Sequence, residues 1–270
     1  MDRRSKINGG LLVAAIWIGI QLGAAHLAHG AYLDELCQSD ADSPQAFKAL
    51  VEEAEATGMP SASLNRLLVR GYADADSKKT LHRLLCAIVQ AEEEGLPPGL
   101  LFKKLDEGLG KRASLPRILE VINLKIDDMH YVQMLLSDGE EPLMEDDNVE
   151  RLAKILAAGV SRQDLKALFD PAFSSPIAMK VVAAEIMAYG RAAGFNSRLL
   201  DQIIASGLES QAFTSDWTFF VKVVFASRKH QILDQQVAAE AIKVLSQKKP
   251  LDDLIMVLGL NPKDVYGNSG

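Results

Sequence analysis

Apolar residues return along most of this chain at steps of three and four, the spacing that lines one face of an α-helix. "LHRLLCAIVQ" from Leu81, "LPRILEVINLKIDDMHYVQMLL" from Leu115 and "IAMKVVAAEIMAYGRAA" from Ile177 all read this way. Ala and Leu dominate and clusters of β-branched residues are few, so the pattern predicts an all-helical chain.

The helices recur in a fixed rhythm. Gly58-Met59-Pro60, Gly95-Leu96-Pro97, Gly159-Val160-Ser161 and Gly194-Phe195-Asn196 each open a segment. Six residues past each glycine stands a leucine: Leu64, Leu101, Leu165 and Leu200. Ten past stands Leu68, Leu105, Phe169 or Ile204, and fourteen past Tyr72, Leu109, Phe173 or Leu208. A small residue lies thirteen past: Gly71, Gly108, Ala172 or Gly207. The leading glycine suits a helix stop in the left-handed region, where a Cβ is costly. The apolar residue behind it packs back on the helix just ended, and Pro, Ser or Asn starts the next one. The small residue at the thirteenth position is expected to close that short helix. A longer amphipathic helix follows, marked by Ser77, Ser114, Ser175-Pro176 or Ser215-Asp216.

The leading glycines are 37, 64 and 35 residues apart. The first and last of these intervals fit an αα repeat of about 36 residues. The middle one is a unit plus an interruption, the acidic, turn-rich "SDGEEPLMEDDN" of Ser137 to Asn148. After Arg228 the rhythm weakens, and residues 231–260 read as capping helices. The expected fold is therefore all-α: stacked helical hairpins resembling an α-solenoid, or an irregular helical bundle, over residues 31–270.

The N-terminus departs from this pattern. Arg3, Arg4 and Lys6 precede a stretch from Ile7 to Leu33 without any charged residue. Its densest apolar part, Leu11 to Ile20, has the length of a signal-peptide core, and Ala28-His29-Gly30 supplies small residues for cleavage. Residues 1–30 are expected to be a signal peptide. The alternative is an uncleaved N-terminal membrane anchor, since the stretch is also long enough to span a bilayer. The body is then exported, periplasmic or extracellular, or anchored to the inner membrane facing outward.

Charge narrows the partners. Removing residues 1–30 takes away one acid and three bases, moving the net charge from −7 to −9. Such an acidic body argues against nucleic acid, whose phosphates need a basic surface. The cysteines, Cys37 and Cys86, permit one disulfide in an oxidising compartment, tying the N-terminal segment to the first helical unit. Otherwise Cys86 is a small buried hydrophobe and Cys37 an exposed thiol.

Recognisable chemistry is sparse. Gly108-x-Gly110-Lys111 lacks the preceding strand and the spacing of a phosphate loop. His82, His130 and His230 are far apart, and no metal or cofactor is expected. The acids Glu140, Glu141, Glu145, Asp146, Asp147 and Glu150 miss the ligand order of an EF-hand. Glu209-Ser210, behind an apolar helix, resembles the catalytic Glu-Ser pair of lytic transglycosylases. That resemblance implies a cell-wall-acting hydrolase or lyase with Glu209 as general acid. The family's downstream Gly-Leu-Met-Gln motif is not found; "FFVKVVFASRK" stands there instead.

Surface is the remaining lead. "DWTFFVKVVF" concentrates Trp217, Phe219, Phe220 and Phe225, residues that form either a buried central helix or a partner-binding face. The favoured expectation is an exported, non-enzymatic binding or scaffold protein for a protein or peptide partner. The alternatives are the Glu209 enzyme and a membrane-anchored structural protein.

Overall fold

The computed structural model describes residues 29–39, 41–137 and 146–267. Among these residues every regular element is helical and none is a strand. Residues 1–28, which carry most of the expected signal peptide or anchor, and residues 138–145 of the acidic loop lie outside the described set. No helix among the described residues is long and apolar enough to cross a membrane.

The chain divides into two compact units, Met1–Ile126 and Asp127–Gly270. The first contains α1 (residues 29–38), α2 (Pro44–Ala56), α3 (Ser61–Gly71), α4 (Ala75–Glu93), α5 (Gly99–Gly110) and the start of α6 (Leu115–Ser137). Helix α4 is its spine. Leu81, Leu84, Leu85 and Ile88 are fully buried, and α2 and α3 pack on them. Helix α1 is joined to the same spine by the Cys37–Cys86 disulfide, and its Leu33 and Leu36 are buried. The second unit holds α7 (Asp146–Ala157), α8 (Arg162–Leu168), α9 (Ile177–Ala192) and α10 (Ser197–Glu209). It continues with a 3-10 turn (Ser215–Phe219), α11 (Phe220–Lys229), α12 (Asp234–Ser246), α13 (Leu251–Val257) and α14 (Pro262–Tyr266). Its spine is α9, where Val181, Ala183, Ala184 and Ile186 are sealed by α7, α8, α10 and α11.

The glycine rhythm takes physical form at the helix ends. Gly58, Gly95, Gly159 and Gly194 all have positive φ, between 66° and 97°. Behind them Met59, Leu96, Val160 and Phe195 are buried. The N–H of Leu96 bonds Ala91 O at 2.9 Å and that of Phe195 bonds Gly190 O at 2.9 Å, the wide closing bond of a Schellman stop. The leucine six residues on is buried in every repeat. Gly259-Leu260-Asn261 repeats the device unforeseen: φ is 67° at Gly259, Leu260 is buried and Asn261 caps α14 as Asn196 caps α10.

The second small residue acts as expected in the first repeat, where Gly71 is the last residue of α3, but not in the others. Gly108 and Gly207 lie inside α5 and α10, and those helices stop later, at Arg112 (φ 55°) and Gln211 (φ 52°). Ala172 sits in the turn beyond α8. The glycines are small because another side chain occupies their Cβ space. A Cβ on Gly108 would lie 2.8 Å from Ile118, and one on Gly190 would lie 2.9 Å from Leu200. Gly71 faces Leu81 and Gly207 faces Phe213 more closely still. The close approach of a neighbouring side chain, rather than a left-handed stop, selects them.

Candidate interaction site

The aromatic cluster of the second unit is split by helix geometry. Phe219 ends the 3-10 turn and Phe220 begins α11, so neighbouring rings diverge by about 100°. Trp217 and Phe220 point inward and are fully buried. The Phe220 ring meets Phe195 edge-on at 5.6 Å and stacks with Trp217 at 6.4 Å; Trp217 meets Phe213 at 5.8 Å. Trp217 and Phe220 therefore leave the set of partner-binding residues, because their surface is already spent on the core. Phe219 and Phe225 remain outside, 38% and 51% exposed.

The outward face of α11 is defined by Val221, Lys222, Phe225, Arg228 and Lys229, which share one side at helical spacing. Lys222 Nζ stands 4.7 Å from the centre of the Phe219 ring, a cation–π contact. The other edge of Phe219 is held by Tyr266 at 5.6 Å, whose hydroxyl donates to Asp252 at 2.7 Å. Burial, then that bond to Asp252, pushes the Tyr266 phenol up from its ordinary value.

At its C-terminal end the face runs into an open groove of about 600 Å³. Arg228 is among the residues that line it. The guanidinium donates to Ala193 O at 2.6 Å and Gly194 O at 3.1 Å, capping the end of α9, and to the Asp234 carboxylate at 2.9 Å. The bond to Asp234 raises the Arg228 pKa above its ordinary value. Leu233, 63% exposed, forms an apolar lip.

The first unit also carries an apolar groove, about 380 Å³, between Phe47 and Val51 of α2 and Leu68 and Tyr72 at the end of α3. Its cations are already matched: Lys78 pairs with Asp42 at 2.9 Å and Lys48 with Glu52 at 3.4 Å. Lys222 and Lys229 of α11 pair with no carboxylate among the described residues. Arg66, on α3, is likewise engaged by Asp106.

The other candidates fall elsewhere. Glu209 is exposed at the end of α10 and lines neither groove. The neighbouring Ser210 hydroxyl is turned back to Ser206 O at 2.6 Å. Glu209 thus lacks the apolar enclosure a neutral general acid needs, and the resemblance to transglycosylases does not extend to its surroundings. Gly108 and Gly110 are helical, with no loop of free N–H groups around them. Cys37 and Cys86 are joined as a disulfide, with Cα atoms 5.6 Å apart, fastening α1 to α4. His82 lies one turn before Cys86, with Nδ1 3.9 Å from Sγ. Among the described residues no group of three or more His, Cys, Asp or Glu is placed to hold a metal ion.

These features define an all-α protein whose helices end in repeated Schellman stops and which leaves Phe219 and Phe225 partly exposed at and before α11. Protein-family models, curated proteins and solved structures all return no match to the chain.

Proposed function

We propose that this is an exported, non-enzymatic binding or scaffold protein, and that it engages a polypeptide partner through the α11 face and the groove at its end. One observation carries the reading. Helix α11 buries Phe220 yet keeps Phe225 half exposed, beside unpaired lysines and an open groove. Aromatic residues are enriched among those that anchor protein interfaces, while the lysines beside them bear on which partner is accepted.

The test places a photoreactive phenylalanine analogue at Phe225 in the full chain, and another at exposed Met256 of α13 as a control. A discrete adduct specific to position 225, in the exported fraction, is the expected outcome. Equal labelling from both positions, or none from 225, counts against the site. Intact mass of the same material addresses export: a mature start at Ala31 agrees with a cleaved signal peptide, whereas a start at Met1 removes that part of the reading.

A further inference from the structure

We infer that the α11 face takes an acidic amphipathic segment of polypeptide, a proposal that rests on the reading of this unit as polypeptide-binding. The argument begins with charge. The chain carries a net −7, yet no acid occurs between Asp216 and Asp234. Within that interval stand Lys222, Arg228 and Lys229. The acids that bound it are committed: Asp216 accepts from the Leu251 N–H at 2.8 Å and Asp234 is held by Arg228. Asp264, from α14, faces His230 at 3.7 Å. Asp252 and Asp264 stand at the edge of the face, and what α11 itself presents outward is the pair of cations no carboxylate takes up, Lys222 and Lys229.

Its apolar part sets the second requirement. Phe225 lies between Lys222 and Lys229, and Phe219 lies beneath Lys222. A small anion would use the lysines and leave Phe225 in water. A wholly apolar segment would bury the aromatic but strip water from two ammonium groups without compensation. A segment with carboxylates on either side of an apolar residue satisfies both. Lys222 and Lys229 are seven residues apart, about 10 Å along the helix axis. Two glutamates one heptad apart on a docking helix, with a leucine between them, have the same spacing.

The probe is a fluorescent peptide of about 18 residues, with glutamates and leucines in heptad register, titrated by anisotropy against the full chain. A peptide with every glutamate replaced by glutamine is its isosteric partner. Binding of the acidic peptide is expected to weaken about tenfold or more in K222E/K229E and to fall with added salt. Phe225→Ala is expected to cost about fivefold or more, and K166E on α8 to leave binding unchanged. Circular dichroism and thermal melts establish that the variants remain folded, as expected for exposed positions.

Equal affinity for the glutamine peptide, still lost in Phe225→Ala, overturns the acidic class and leaves the polypeptide reading standing. If neither peptide binds while the crosslinker at 225 still yields its adduct, the acidic class again falls alone. Failure of both experiments removes both. Binding to vesicles rich in anionic phospholipid that K222E/K229E abolishes, with no peptide binding, reassigns the face to a membrane. Self-association lost in Phe225→Ala, without peptide binding, reassigns it to a second copy of the chain.

Discussion

Lys248 holds a left-handed conformation, φ 55°, at the stop of α12, a place taken by glycine at the ends of α2, α4, α7 and α9. Arg112, Gln211 and Gln231 do the same at the ends of α5, α10 and α11. The N–H of the residue after the left-handed one makes the same closing bond in both versions, from Lys249 to Val244 O at 3.1 Å as from Phe195 to Gly190 O. A side chain there carries a left-handed penalty of about 1–2 kcal/mol, partly offset because glycine has more freedom to lose on folding. Lys248→Gly is thus expected to stabilise the protein by about 0.5–1 kcal/mol, seen as a melting temperature raised by about 1–4 °C.

At the scale of elements, arginines tie helices that are distant in sequence. Arg151 of α7 grips Glu185 of α9 with two bonds of 2.9 Å, and Arg191 at the end of α9 reaches Asp164 of α8 at 2.6 Å. Asp164 also faces the Ser161 hydroxyl that caps α8. The bond from Arg191, supported by Ser161, holds the Asp164 carboxyl below the ordinary aspartate range against the opposing effect of burial. Because the folded pKa is the lower one, the stabilisation is fully present above the unfolded value near pH 4 and is lost as pH falls through the folded value. Both side chains are partly exposed, so the effect is discounted to about 1 kcal/mol or less. Melting of the wild type and Asp164→Asn from pH 7 down to pH 3 checks this. The variant melts lower at neutral pH, and the gap closes below about pH 4.

For the molecule as a whole, the two compact units differ in how they are held. The first unit has a covalent fastening. Cys37 and Cys86 are 49 residues apart, Asp34 accepts a 3.5 Å bond from Gln90, and His29 stands 3.8 Å from both Glu53 and Glu93. Helix α1 therefore lies antiparallel to α4, with the disulfide at one end and the histidine at the other. A crosslink closing a loop of that length stabilises by about 4 kcal/mol in the chain-entropy account. Reduction is expected to raise amide exchange in α1, α2 and α4 while α9 to α12 stay protected. Exchange that rises equally in both units would show that the fastening is not local to the first.

Much of this was legible along the chain because helix periodicity, Schellman glycines and capping residues are local. Their energetics depend on neighbours within about one turn. Gly95 stops α4 and Asn196 caps α10 for reasons contained in a few residues, although α4 starts at Ala75 behind an Asp74 cap rather than after Ser77. The interaction site was legible only as a concentration of aromatics. Periodicity places Phe219 and Phe220 on different sides but does not say which side is water. That was decided by Phe195, Phe213 and the α9 spine, which enclose Trp217 and Phe220 and leave Phe225 out. The same holds for Gly207, which reads as a helix stop in sequence and is a contact point in the fold, and for Gly71, which does end α3 but also makes room for Leu81. Local sequence determined where the helices begin and end. Which surfaces remain for a partner was decided by packing between residues far apart in the chain.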